Sequence, residues 1–174
     1  MFDADIKVTG KHATYIKFLA AKSSQLNRDA ICAGLFKRYI DVYIAGAIIG
    51  MVKKLKADVD TESDDSANIF AEAVIREQSK LKMLYRIALL TDDVTLDEDK
   101  RIDLAFRYDT DNEKVKQGMD MFNAYARGGI EWLYSEITSN NANEYDDYLE
   151  RVTMMLKEFS EDYLENDINY IANL

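Results

Sequence analysis

Apolar residues recur at every third or fourth position along most of this 174-residue chain, the spacing that places them on one face of an α-helix. This pattern first predicts a short amphipathic helix over residues 9–22. A longer helix is predicted to begin at Asn27 or Arg28 and becomes apolar on nearly every face between Tyr39 and Met51. Because a helix that is apolar all round is normally buried, this segment is predicted to be the central helix.

A charged stretch separates the central helix from the next ones. Residues 53–65 change from basic to acidic and lack helical spacing, which predicts a long loop. Helices are predicted to restart near Ser66, with a break near Gln78. Two capping boxes, Thr95–Glu98 and Thr110–Glu113, are each predicted to open a further helix, because the threonine hydroxyl and the glutamate carboxylate satisfy free backbone N–H groups.

The end of the chain predicts a last helix after a polar connection at residues 139–143. This helix has an apolar stripe and a strongly acidic opposite face. No strand-like alternation of useful length is found. The predicted fold is therefore all-α: a compact helical bundle of about six to seven helices, with a buried central helix and a long acidic C-terminal helix. Residues 1–174 are predicted to form a single helical domain, with residues 139–174 appended to a core of residues 10–138.

The composition narrows the class of protein. The single cysteine, Cys32, excludes an internal disulfide and fits a reducing cytoplasm. The first residues lack the basic start and apolar run of a secretory signal. The longest apolar stretch, residues 42–52, is far shorter than the roughly 20 residues of a membrane span. A cytoplasmic protein without membrane contact is expected.

The net charge of -10 is unevenly distributed. Residues 1–56 contain ten Lys and Arg against four Asp and Glu, whereas residues 57–138 contain ten against nineteen. Residues 139–174 contain two against nine. Such asymmetry is typical of proteins with a charged partner or a contact between subunits, although charged helical surfaces alone also produce it.

No motif of known chemistry stands out. The phosphate-binding glycine motifs and the HExxH zinc motif are missing from the sequence. His12 is the only histidine, so a zinc site or a Cys–His nucleophile pair would require it to meet Cys32 in space. Nothing singles out Glu131 or Asp41 as an acid–base catalyst. The chain is expected to be no enzyme and to have no cofactor and no metal site.

Two basic groups are candidates for nucleic-acid contact. Lysines at the end of a helix are expected from its dipole, but they can also bind phosphates in a salt-dependent way. Because the rest of the chain is acidic, contact with DNA is expected to be indirect or weak. The two groups are Lys53, Lys54 and Lys56, followed by Arg76, Lys80, Lys82 and Arg86.

The segment FNAYARGGIEWLY, residues 122–134, carries two glycines inside a predicted helix, where each costs about 1 kcal/mol relative to alanine. Its small residues leave one face with little bulk, so another helix backbone can come close. The predicted neighbour is the central helix, through Gly46 and Gly50. The alternatives are that the notch receives another subunit, or that the glycines mark a kink. The candidate partner interface consists of Tyr125, Arg127, Gly128, Gly129, Tyr148, Met155, Phe159 and Tyr163.

Three segments of the chain look familiar together: LFKRYIDVYIAGAIIGMVKK (35–54), YRIALLTDDVTLDEDKR (85–101) and FNAYARGGIEWLYSEI (122–137). The chain resembles small proteins of bacterial anti-phage defence loci, especially accessory proteins associated with DNA phosphorothioation (Dnd) systems. The resemblance spans roughly residues 10 to 138, so the acidic helix after Asn140 looks like an addition. The matching positions are Phe36, Asp41, Ala45, Ala47, Gly50, Tyr125, Ala126, Gly129 and Leu133.

The resemblance implies an accessory component that works beside a larger ATPase, nuclease or modification enzyme. We therefore expect a non-catalytic interaction subunit of a defence or DNA-modification system, acting by protein–protein contacts, with a homo-oligomer as a further option. One alternative is an acidic DNA mimic that inhibits a nuclease or restriction enzyme, which the net charge favours and the basic first third opposes. A second alternative is a helical protein that binds DNA directly.

Overall fold

The computed structural model describes residues 1–20, 34–93, 97–107, 111–139 and 145–172, and leaves the side chains of residues 112, 145, 159 and 162–172 undescribed. Helices dominate these residues, as the sequence predicts. The helices are α1 (Lys11–Leu19), α2 (Tyr39–Val52), α3 (Ala71–Arg76), α4 (Gln78–Thr91), α5 (Glu98–Phe106), α6 (Asn112–Ile137) and α7 (Tyr145–Ala172). Two short strands accompany them, β1 (Ile6–Thr9) and β2 (Ser66–Ile69).

The predicted central helix is confirmed as α2, which packs along the length of α6 and contributes buried residues on several sides. Its start differs from the prediction. Residues 34–38 are not helical, and α2 begins at Tyr39, while Asn27 and Arg28 lie outside the described residues. Arg38 is extended and its guanidinium binds Asp41 in the first turn, so this ion pair marks the observed helix start.

A small two-stranded sheet accompanies the predicted helices. β1 and β2 pair antiparallel, with Ile6 opposite Ile69 and Thr9 opposite Ser66. Four-residue strands are too short for alternation to be visible, although Ala67 and Ile69 do turn inward. The helix predicted to restart near Ser66 therefore begins later, at Ala71. The long loop predicted for residues 53–65 is confirmed, because these residues form neither helix nor strand.

The starts of α5 and α6 lie close to the predicted capping boxes, but aspartates cap them. The side chain of Asp97 accepts a hydrogen bond from Lys100 N, and that of Asp111 accepts from Glu113 N and Lys114 N. The predicted caps, Thr95 and Thr110, lie outside the described residues. An aspartate cap also places a negative charge at the positive end of the helix dipole.

The core has two parts that share α6. The first lies between α2, α4, α5 and α6, and Phe122 of α6 makes edge-to-face contacts there with Tyr43 and Tyr85. The second lies between α1, α6 and the start of α7, around Ile16, Leu19 and other aliphatic side chains. Because α6 belongs to both parts, its side chains connect nearly every element that carries a candidate functional residue.

Candidate functional site

The paired glycines of α6 pack against the central helix, as the sequence predicted. A methyl group added to Gly129 would lie 2.7 Å from the backbone nitrogen of Gly50, and one added to Gly50 would lie 2.7 Å from the carbonyl carbon of Tyr125. Both separations are far inside van der Waals contact. The backbones of α2 and α6 therefore touch at positions where any side chain would force them apart. Gly128 and Gly129 both lie within the single helix α6.

Gly128 faces the loop that follows α2. A methyl group there would lie 2.5 Å from the carbonyl oxygen of Leu55. The loop is fixed in this place because Leu55 N donates to Gly50 O at 2.8 Å and Ala57 N donates to Ala124 O at 3.0 Å. The notch at the glycines is thus filled by backbone of the same chain, which supports the intramolecular alternative for Gly128 and Gly129.

The lysines at the end of α2 all bind groups of the same molecule. Lys53 lies 4.5 Å from the ring centre of Trp132, and Lys54 forms an ion pair with Asp93 at 3.2 Å. Lys56 forms an ion pair with Asp92, whose side chain is 1% exposed, and also lies over the ring of Tyr125. Burial and the neighbouring Asp92 carboxylate raise the pKa of Tyr125 to about 12.

In the second basic group, Arg76, Lys80 and Arg86 also bind groups of the same molecule. Arg76 pairs with Glu72 and Lys80 with Glu77, both near the start of α4, whereas Asp92 and Asp93 follow its end. A helix of this length spans about 20 Å. Arg86 donates to the carbonyl of Ala105, and Lys82 lies beside Met1 and Tyr85. Arg76 and Lys80 therefore lie about one helix length from Asp92 and Asp93, the partners of Lys56 and Lys54. Contact of either basic group with nucleic acid stays a prediction.

Of the four candidate interface residues on α7, the structure describes the side chains of Tyr148 and Met155. Tyr148 is 3% exposed and meets Phe18 edge-to-face, with ring centres 5.5 Å apart. Met155 is half-buried against the same part of the core. The side chains of Phe159 and Tyr163 lie outside the described residues. On the neighbouring face, Leu149 and Leu156 are 40% and 62% exposed.

A cleft with a volume of about 580 Å³ lies beside α2 and β2. Two of its basic side chains already bind carboxylates: Lys17 binds Asp65, and Arg38 binds Asp41 and Glu77. These two charges are therefore already paired within the chain.

A buried pair joins α1 to α6. The side chain of His12 is completely buried, and its Nε2 lies 2.8 Å from Glu131 Oε1, which also binds Lys11 Nζ at 2.9 Å. Burial lowers the pKa of His12. Burial alone would raise the pKa of Glu131, but hydrogen bonds from Lys11 and His12 lower it overall. His12 Nδ1 is buried and has no partner among the described residues, so no nucleophile is paired with this histidine there.

A second polar group surrounds Arg127. Tyr43 Oη donates to Asn123 Oδ1 at 2.5 Å, and Arg127 Nε donates to the carbonyl of Ala57 at 2.8 Å. Burial raises the pKa of Tyr43 and lowers that of Arg127. These residues line a small cavity of about 90 Å³ next to β1. The sequence analysis named Arg127 and missed Asn123 and Tyr43, which are 80 positions apart and share no local signal.

The comparisons with known proteins identify the family. The model for DNA sulphur modification system-associated protein 4 matches residues 6–171. The chain belongs to this family. The resemblance to Dnd-associated proteins is thereby confirmed. The match runs through almost all of α7, beyond the end of the resemblance near residue 138. That residues 139–174 are appended to the core stays a prediction. No curated protein and no solved structure matches the chain significantly.

Two further kinds of site can be assessed in the described ranges of the chain. These ranges contain no group of three or more His, Cys, Asp or Glu residues arranged to hold a metal ion. Nor does any of their helices have the length and apolar character needed to cross a membrane. Cys32 lies outside these ranges, so its pairing with His12 stays untested.

Proposed function

We propose that this member of the family is a non-catalytic accessory subunit of a DNA sulphur modification system and acts by binding a larger protein component of that system. The family supports the setting. The observation that carries the mode of action is the outer face of α7, where large apolar side chains remain exposed on a helix whose inner face is already packed.

The geometry of α7 supports a docking helix. Leu149 and Leu156 are seven positions apart, which places them on the same side of the helix. They flank the packed stripe of Tyr148, Val152 and Met155. Residues around them are acidic, since residues 139–174 contain nine Asp and Glu against two Lys and Arg. An amphipathic helix of this type fits an apolar groove, with leucines as anchors, and here the groove would have a basic rim.

The basic groups give less support to direct DNA binding as the main activity. Lys54 and Lys56 are held by aspartates and Arg76 and Lys80 by glutamates, so a phosphate would have to displace these partners. Each displaced ion pair reduces the gain from a phosphate contact. Contacts through another protein require no such exchange.

The test is co-expression of the tagged chain with the other proteins of its DNA sulphur modification system, followed by purification and measurement of the stoichiometry. The wild-type chain is expected to recover one component in a fixed ratio. Leu156→Glu should lose it, because the substitution puts a charge in the apolar groove. Raised salt should slow the association, since opposite charges speed the encounter.

Met154→Glu is the matched control. Met154 is 46% exposed on the same helix, and two positions correspond to about 200° of rotation, so it faces away from Leu156. It carries the same change in charge and should retain the partner. Equal recovery with both variants would refute docking through this face. Displacement of the bound component by duplex DNA would favour the DNA-mimic alternative instead.

A further inference from the structure

The small cavity beside β1 has an unusual lining. It is enclosed by the strand, by Val59 of the long loop, and by Tyr43, Asn123 and Arg127. Its volume of about 90 Å³ is well below the roughly 300–1,000 Å³ of pockets that enclose drug-sized ligands. Only a small ion, or one terminal group of a larger molecule, can occupy it.

Arg127 brings a partly buried charge to this cavity. Three exposed or half-buried arginines have a carboxylate partner: Arg38 has Asp41, Arg76 has Glu72 and Arg107 has Asp103. In the described part of the chain, no carboxylate lies within ion-pair distance of Arg127, and Asp58, Asp120 and Glu131 act on it only from farther away. Because buried charges are normally paired, a counter-charge is missing here.

The other polar groups of the cavity complete a set of donors. Asn123 uses its amide oxygen to accept from Tyr43 Oη, which leaves its NH₂ group to donate. The Nε of Arg127 is taken by Ala57 O, which leaves its terminal nitrogens for a ligand. Thr9 adds a hydroxyl and Lys7 an ammonium group at the strand. The lining residues contain these donors and no carboxylate, a composition that suits an oxyanion.

We propose that this cavity binds a phosphate group, with the guanidinium of Arg127 as the main donor and Asn123, Thr9 and Lys7 as supporting donors. The phosphate is either a free ion or the end of a nucleic-acid strand, since both present the same tetrahedral oxyanion. The proposal does not depend on docking by α7, because Arg127 and Leu156 lie on different helices and serve different ligands.

The measurement is equilibrium binding of inorganic phosphate to the purified full-length chain, by dialysis with labelled phosphate and by calorimetry. One saturable site is expected, and sulfate should compete for it. Asn123→Asp should weaken binding at least tenfold, because it sets a carboxylate against the anion. Arg127→Lys should also weaken it about tenfold, since lysine keeps the charge and loses the bidentate geometry.

Lys7→Gln gives a variant on an exposed strand position that the core does not require. It should weaken phosphate binding several-fold while thermal unfolding stays unchanged, which keeps the proposal testable if Arg127 variants fail to fold. The matched control is Arg76→Gln, an exposed arginine away from the cavity, which should bind as the wild type does. Absence of saturable binding, or equal binding by the wild type, Asn123→Asp and Lys7→Gln, would overturn the proposal.

A second arm distinguishes the two sources of phosphate. A short single-stranded oligonucleotide with a 5′-phosphate is compared with the same strand without it and with inorganic phosphate. Binding at least tenfold tighter for the phosphorylated strand than for either reference identifies a strand end as the ligand. Equal affinity for the phosphorylated strand and inorganic phosphate identifies the free ion. In both cases Asn123→Asp and Lys7→Gln should weaken binding of the ligand, as they weaken binding of inorganic phosphate.

Discussion

The crossing of α2 with α6 and the contact of α6 with α7 use the same long helix in opposite ways. At the first, glycines on both helices bring the two backbones into direct contact. At the second, Tyr148 and a few neighbours fill the contact, while Leu149 and Leu156 remain exposed beside it. The difference indicates that the crossing of α2 and α6 is closed by backbone contact within the chain, whereas the contact of α6 with α7 leaves two leucines uncovered beside it.

The largest effect is expected from Gly129→Ala, which breaks the close contact at the first region. Overpacking against the fixed backbone of α2 should lower the free energy of unfolding by about 3 kcal/mol, despite the gain of about 1 kcal/mol in helix propensity. Urea denaturation measures the change. Gly128→Ala should cost less, because its neighbour Leu55 belongs to a loop. A stabilised Gly129→Ala protein would contradict the close contact.

A smaller effect is expected from Tyr148→Ala at the second region. The substitution removes the edge-to-face contact with Phe18 and should cost about 2 kcal/mol, less than a central aromatic because α7 lies at one edge of the core. Hydrogen exchange should show lost protection at the start of α7 and unchanged protection in α2. Loss of protection in both helices would show that the two regions unfold together.

Asp92→Asn tests whether the close contact extends into the loop after α2. The buried carboxylate of Asp92 forms an ion pair with Lys56, whose side chain is 31% exposed. The free energy of unfolding should therefore fall by about 1.5 kcal/mol, which is less than the loss expected for a fully buried pair. The control is Asp93→Asn, which removes an exposed partner of Lys54 and should change the urea midpoint little. Equal effects of the two variants would show that burial of Asp92 contributes nothing.

The smallest effect is a dependence on pH at the buried pair between α1 and α6. Because burial lowers the pKa of His12 in the folded protein, the unfolded chain binds more protons below pH 6.5. The free energy of unfolding should therefore fall as the pH is lowered from 7 to 5.5. His12 is the only histidine, so His12→Gln should flatten the curve in this range. An unchanged slope in that variant would exclude His12 as its source.

The parts of the fold that follow from local spacing were predictable. The apolar stretch after Tyr39 indicated a buried helix, and the small residues at Gly46, Gly50 and Gly129 indicated which two helices meet there. The four-residue strands were not predictable, because Ile6–Thr9 and Ser66–Ile69 are too short to show a period and are stabilised by pairing across 60 residues. The observed caps, Asp97 and Asp111, follow the predicted threonines by two positions and one position, so the sequence located both helix starts closely but not the residue that caps them.

The candidate sites were less predictable than the fold. His12 and Glu131 are 119 positions apart, and Tyr43 and Asn123 are 80 apart, so only the packing of α2 and α1 on α6 brings them together. The lysines after α2 were identified by charge alone, and charge does not reveal that Asp92 and Asp93 would bind two of them. Arg127 was noticed for its place beside the glycines, while its missing carboxylate partner is visible only in three dimensions.

The apolar surface of α2 also has a consequence for synthesis on the ribosome. Its partner α6 ends at Ile137, which follows Val52 by 85 residues. At roughly 5–20 residues per second, the nascent chain carries an uncovered α2 for several seconds before α6 emerges. An apolar helix that is uncovered for this long is exposed to chaperones and to other nascent chains, so faster translation of residues 53–137 or a helper that covers α2 should raise the yield of folded protein.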